Sequence, residues 1–339
     1  ESDKNTVTID TSEGNVDVTF DDLKINVSGK TEVDGSGKTE VDGSGKTEGD
    51  SSGDGSGHGG KAAVTVRGNH DATIELDGDN KLKSGSNNAG LEKNERESKG
   101  TLTIKDDNGK DGSLTAEGGD GGGDGGGAGI GGKHESGAGN IEITGGTIKA
   151  VGGEGAAGIG GGVYGTGHDI EISGGKVSAT GGDANKNLDS SRPGAAGIGD
   201  GAGTRSEIDP NAPPSNPSNP NHIIISGDAE VEARAGASTG GKTAAIGGGM
   251  VGEISNDALS SGHNGSLTRY DSAGNKMEDY SYDRRTPSQP EQPDDTENND
   301  DDDDENDAPN TQAGEVPDRV KQMYETVGVI THPDGTQEL

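Results

Sequence analysis

From residue 141 the chain alternates apolar and polar side chains: Ile141, Ile143, Ile148 and Ala150 fall on one side, Glu142, Thr144 and Lys149 on the other. A period of two is the mark of a half-buried β-strand. Gly145-Gly146 divides the run into two short strands, and a corner of small residues, Ala156-Ala-Gly-Ile159-Gly-Gly, follows. The strand pair returns after 29 residues as Ile170-Glu-Ile172-Ser-Gly-Gly-Lys-Val177-Ser-Ala179, and the corner returns as Ala195-Ala-Gly-Ile198-Gly-Asp200. Upstream, Leu102-Thr-Ile104, Leu114-Thr-Ala116 and Ala128-Gly-Ile130 make another copy; downstream, Ile223-Ile-Ile225, Val231-Glu-Ala233 and Ala244-Ala-Ile246 make one more. A weaker copy runs from Val64 and Val66 through Ile74, Leu76 and Leu82 to Ala89-Gly-Leu91.

One such copy cannot bury its apolar face alone. Stacking copies about 4.8 Å apart sets Ile141 and Ile143 under Ile170 and Ile172 and closes the backbone hydrogen bonds between neighbours. With two strands and a corner per copy, the pattern predicts an all-β fold, a right-handed parallel β-solenoid of about five coils over residues 61–250. Residues 1–28, with Val16 to Phe20 and Leu23 to Val27, read as N-terminal cap strands or an extra coil, since a bare solenoid end exposes strand edges. Residues 29–60 repeat the octapeptide Gly29 to Ser36 and read as a flexible loop. Insertions at Asp183 to Pro193 and Asp209 to Pro220 read as loops on the solenoid's edge. Residues 251–286 form a loop or cap region; within it Leu267-Thr-Arg-Tyr270 resembles one YD-repeat unit, and a single copy reads as chance. Residues 287–315 read as a disordered acidic linker, and 316–339 as a short C-terminal segment with an amphipathic helix from Val316 to Ile330.

Composition changes the picture in two ways. Only 24% of the 339 residues are hydrophobic and 66 are Gly, which suits a thin repetitive core and not a broad layered one. Lys and Arg number 28 against 62 Asp and Glu, a net charge of −34, which disfavours nucleic acid and anionic membrane as partners. Cys is absent, so disulfides and thiolate metal sites are excluded. No stretch approaches the roughly 20 apolar residues of a membrane span. The chain starts with Glu and shows no signal peptide, so it reads as a processed or excised chain.

Several short motifs dissolve on inspection. Gly236-Ala-Ser-Thr-Gly-Gly-Lys242-Thr243 fits the phosphate-binding loop, but Ala244-Ala-Ile246 after it is the corner that closes each other copy, where the motif needs a helix. Gly127 to Gly132 fails as a dinucleotide fingerprint for the same reason. Carboxylates on Gly-rich loops supply hard oxygen ligands, which makes calcium the candidate ion and Asp120, Asp124, Asp169, Asp183 and Asp200 its candidate ligands. Plain solvated acidity is the competing reading, because Gly118 to Asp124 misses the register of the calcium-binding nonapeptide roll. The seven His do not recur in register, counted forward from the corner isoleucines, and read as solvated side chains with no catalytic group among them. With no Trp and only Tyr164 inside the coils, stacking on neutral glucans is disfavoured, and the mixed outward column of Thr, Glu, Lys and Ser disfavours ice binding.

The copies between Ala63 and Met250, with Thr-Leu-Thr-Ile at 101–104, Ile-Thr-Gly-Gly-Thr-Ile at 143–148 and Ala-Ala-Gly-Ile-Gly-Gly-Gly at 156–162, resemble repeats of Gram-positive bacterial surface proteins. They also resemble right-handed β-helical carbohydrate-binding domains related to polysaccharide lyases. The resemblance implies an extracellular or cell-surface location, calcium sites and binding of acidic polysaccharide. No position matches a lyase's catalytic Arg or Lys, and no cell-wall sorting motif is present. The expectation is a non-enzymatic, secreted or surface-displayed β-solenoid that binds glycans or serves as an adhesin. The alternatives are a structural stalk and, more remotely, a polysaccharide lyase.

Overall fold

In the computed structural model the described residues are 2–28, 60–108, 111–121, 125–184, 194–203, 222–238, 243–248, 252–253, 263–277, 330–331 and 337–338. Strands wind around a narrow core in coils of three. The first coil is β1 (Val7–Asp10), β2 (Val16–Asp21) and β3 (Lys24–Asn26), and the second β4 (Val64–Arg67), β5 (Ala72–Asp77) and β6 (Asp79–Lys83). The third is β7 (Leu91–Glu92), β8 (Leu102–Lys105) and β9 (Ser113–Glu117), and the fourth β10 (Ile130–Gly131), β11 (Ile141–Ile143) and β12 (Thr147–Val151). The fifth is β13 (Ile159–Gly160), β14 (Ile170–Ile172) and β15 (Lys176–Thr180), and the sixth β16 (Ile198–Gly199), β17 (Ile223–Ile225) and β18 (Glu230–Arg234). A last turn contributes β19 (Ile246–Gly248), a short antiparallel β20 (Gly252–Glu253), and β21 (Ser266–Tyr270).

Like strands of successive coils pair in parallel, giving three stacked faces of eight, six and seven strands in coil order, with no helix among the described residues. The chain is therefore a parallel β-solenoid. The repeat alignment fixes the register: Ile141 and Ile143 pair with Leu102 and Ile104 on one side and with Ile170 and Ile172 on the other, which in turn pair with Ile223 and Ile225. On the third face Leu114, Ile148, Val177 and Val231 form one column, and Ala116, Ala150, Ala179 and Ala233 another. All of these side chains are buried, while Glu142, Thr144 and Lys149 point outward as the alternation requires. The third face thus sets a column of large side chains beside a column of alanines, where the second face has two columns of large ones.

The five coils expected from 61–250 are present, and residues 7–26 add another in the same register, with Val16 to Asp21 pairing along Ala72 to Asp77. At the far end β21 extends the third face beside β18, with Arg269 in the column of the core alanines and buried there. The octapeptide repeat, both long insertions and residues 287–315 lie wholly or mostly outside the described residues. The chain divides into two compact units, 1–284 and 285–339. In the second unit, the described residues are β22 (Ile330–Thr331) and β23 (Gln337–Glu338), an antiparallel pair; the helix expected from 316 to 330 falls outside them except at Ile330.

The third coil breaks the glycine rule at its corner. Where the coils after it follow the corner isoleucine with Gly, it carries Glu92-Lys93-Asn94, all buried. Lys93 Nζ donates to the carbonyls of Gly139 at 2.6 Å and Ser98 at 3.4 Å, and burial pulls its pKa down to about 8. The Glu92 carboxylate accepts from the Ala89 N–H and the Asn94 amide, and burial pushes its pKa up. Three buried polar side chains, each hydrogen-bonded within this coil or to the next, thus stand where the later coils have the tight glycine bend.

Candidate functional site

Each second-face strand of the fourth, fifth and sixth coils is preceded by one residue in the left-handed region: Asn140 (φ 55°), Asp169 (φ 52°) and His222 (φ 47°). Asn, Asp and His adopt this conformation more readily than other non-Gly residues. Stacking puts the three in one column at a solenoid corner, and the preceding residue, His168, joins it. His168 Nε2 lies 3.0 Å from Glu95 Oε2, its Nδ1 2.7 Å from Asp169 Oδ2, and His222 Nδ1 3.1 Å from Asp169 Oδ1. The chain Glu95, His168, Asp169, His222 spans the third, fifth and sixth coils. Glycine makes its seat: a Cβ on Gly139 falls 2.4 Å from His168 Cε1, and one on Gly137 falls 2.7 Å from Glu95 Oε2. An open groove beside it is lined by Thr101, Asn140, Glu142, Asp169, Glu171 and His222.

Two carboxylates can each accept from His168 only if both ring nitrogens carry protons. The hydrogen bond to Glu95, then that to Asp169, outweighs partial burial and raises His168 to about 9. Burial works to raise Asp169, but the hydrogen bonds from His168 and His222 prevail and hold it low. His168 has no nitrogen left for a substrate, so its role is to tie coils together; the His222 side chain is exposed. Because the folded pKa of His168 is raised from 6.5 to about 9, its stabilisation is complete below pH 6.5 and is lost as pH rises through 9. With the side chain 35% exposed, the shift is discounted for screening to about 1–2 kcal/mol. His168→Gln is therefore expected to melt several degrees below the parent at pH 6 and close to it at pH 10. Comparison at each pH cancels the opposite trend from Lys93, whose lowered pKa adds stability between about 8 and 10.5. An equal deficit at both pH values would exclude the ion-pair account.

The candidate calcium ligands that are described, Asp120, Asp169, Asp183 and Asp200, are not gathered at one point. Asp200 is buried and accepts from the Gly167 N–H at 2.9 Å, serving the backbone of the neighbouring coil. Asp169 belongs to the histidine chain. Asp120 and Asp183 share an open groove of about 640 Å³ with Glu154, one carboxylate from each of three successive coils. Asp120 accepts from the Glu154 N–H at 3.0 Å and Asp183 from the Ala237 N–H at 2.8 Å, so each uses an oxygen to fasten the next coil. Burial, then the charge of Asp120, raises the pKa of Glu154. Asp124 lies outside the described residues. Among the described residues no three His, Asp or Glu side chains are placed to hold a metal ion.

The histidine chain escapes a count made forward from the corner isoleucines, because the loops between differ in length. Counted backward from Ile141, Ile170 and Ile223, residues 140, 169 and 222 are equivalent, and that is the signal by which it can be found. Tyr164 packs edge-on against His134, with ring centroids 5.8 Å apart, and across Gly203, so its face is not a free sugar platform. After the phosphate-loop motif comes strand β19, paired with β16, and not a helix. No protein-family model matches the chain, and no curated protein or solved structure is significantly similar to it.

Proposed function

We propose that this β-solenoid is a non-catalytic module that binds an extended carbohydrate polymer, outside the cell or at a bacterial surface. The observation that carries the reading is the direction of its grooves. Asp120, Glu154 and Asp183 contribute one side chain per coil to one groove, and Asn140, Asp169 and His222 do so in another. Such a groove offers a polymer similar polar contacts at each coil, so that modest single contacts sum along a rigid stack. The sequence resemblance to surface repeats and β-helical carbohydrate-binding domains supports the same reading. Calcium enters as a variable: a cation could bridge an acidic glycan to a carboxylate groove. A glycan array probed with the full chain, with calcium and with chelator, tests the proposal. Retention on a defined glycan class is expected. Absence of binding in both conditions would favour a structural stalk, which the unbroken core from the first to the sixth coil would also serve.

A further inference from the structure

Charge is segregated on the solenoid. In the first five coils the outward positions of the second face carry Asp17, Asp21, Glu75, Glu142 and Glu171 with only Lys105 opposing them. The third face has the opposite sign: Lys24, Lys81, Lys83, Lys149 and Lys176 against Asp79 and Glu117, in a chain whose net charge is −34. Pairing sets the order. Lys24 is beside Lys81, Thr115 stands between Lys81 and Lys149, and Lys176 neighbours Thr147 one position across. The stripe crosses five strands, about 19 Å at the usual strand spacing.

Three of these lysines have partners, and all three pairs are exposed: Lys24 with Asp22 at 3.5 Å, Lys81 with Asp79 at 3.5 Å, and Lys83 with Glu117 at 2.9 Å. Such pairs are worth little and exchange readily for another anion. Lys149 and Lys176 are exposed and form no ion pair within 4.0 Å among the described residues, although Glu230 of the sixth coil stands beside Lys176 in the pairing register and ends the basic stripe there. An open groove of about 300 Å³, lined by Lys24, Lys81, Lys83 and Thr115 among others, marks the first-coil end of the stripe.

From this arrangement we infer that the outer surface of the third face is the docking surface for an acidic polysaccharide, laid along the stack and across the strands. This rests on the proposed glycan-binding function, names a ligand class for it and adds a basic surface distinct from the two grooves described above. Charge density selects the partner. Duplex nucleic acid carries a charge every 1.7 Å or so, far more than five lysines along the stripe can neutralise, and the remaining surface repels it. A polymer with one charge per sugar is closer in charge density to a stripe whose column carries lysine in the first, second and fourth coils, with Lys176 one position across in the fifth, and direct contact needs no bridging cation.

The test is retention of the full chain on immobilised polygalacturonate in chelator at low salt, with neutral dextran and duplex DNA as comparators. Retention on polygalacturonate that falls with rising salt is expected. Lys149→Ser with Lys176→Ser should weaken it about tenfold through loss of two counterion-releasing contacts. Lys105→Ser on the second face should leave it unchanged, and Thr115→Lys, which fills the gap in the column, should strengthen it. Melting curves confirm that each variant is folded. Retention that requires calcium, that ignores the third-face substitutions, or that is matched by DNA overturns the inference. Binding to dextran alone, insensitive to the lysines, overturns it while leaving the broader glycan reading standing; no binding to any glycan removes both.

Discussion

Ile172→Asp is expected to lower the melting temperature by at least about 10–20 °C or to abolish the cooperative transition, whereas Glu142→Ala should leave it within a degree or two. Ile172 is fully buried, stacked between Ile143 and Ile225. A carboxylate there has no cationic partner in a column of isoleucines, and burying it unpaired costs about 5 kcal/mol or more. For 150–250 ordered residues each kcal/mol moves the midpoint by about 2–4 °C, which gives the stated range. Glu142 lies one residue from an equally buried position but points outward, within 3.2 Å of the Thr103 hydroxyl, beside Glu171 of the next coil. Its removal forfeits one part-buried hydrogen bond and relieves a like-charge neighbour, two effects of opposite sign. Thermal unfolding followed by far-UV circular dichroism decides the matter. Equal melting of the two variants would exclude the inward and outward assignment of the whole second face.

How much the sequence discloses depends on which physical constraint repeats. The columns through Ile141, Ile148 and Ile159 are legible because burial on a stacked strand demands an apolar side chain at the same place in every coil. The first coil is harder to read because Val7 to Asp10 lacks the Ala/Gly/Ile corner by which the others are aligned, though it pairs with Val64 to Arg67 all the same. Ser266–Tyr270 hides for a related reason. Arg269 occupies the column of Ala233, a substitution that sequence alternation reads as the end of the pattern. Side-chain chemistry between strands is less legible still. Glu95, His168 and His222 lie on corner loops of unequal length, so no fixed spacing connects them, and only three-dimensional stacking brings them onto Asp169. Likewise the sign of each face depends on which polar residue happens to fill each outward position, and that becomes visible only when the pairing register is known.

The corner glycines should tolerate substitution least, and Gly160→Ala gives the sharpest test. Gly131, Gly160, Gly199 and Gly247 form one column with φ of 133°, 134°, 130° and 125°, a backbone region in which only glycine is at ease. Space is missing too: a Cβ on Gly160 lies 1.9 Å from the carbonyl oxygen of Gly199 in the next coil. That atom is backbone within a hydrogen-bonded ladder, so no side-chain rotation relieves the clash; the coils must part or the corner must refold. Glu92 shows what refolding demands. Paired with Gly131 by register, it holds a side chain only by leaving the positive-φ conformation and burying a carboxylate that Ala89 and Asn94 must then satisfy. A methyl group in place of the Gly160 hydrogen would bring no such partners, and the expected loss is about 3 kcal/mol or more, a fall of roughly 6–12 °C in melting temperature. Gly274→Ala isolates the conformational part, because Gly274 also has positive φ (81°) but has nothing within 4 Å of its Cβ position. That variant should lose only about 1–2 kcal/mol. If both variants melt at the same temperature, inter-coil contact at the corner contributes nothing, and the close stacking of the first face through Ile130, Ile159, Ile198 and Ile246 is wrong.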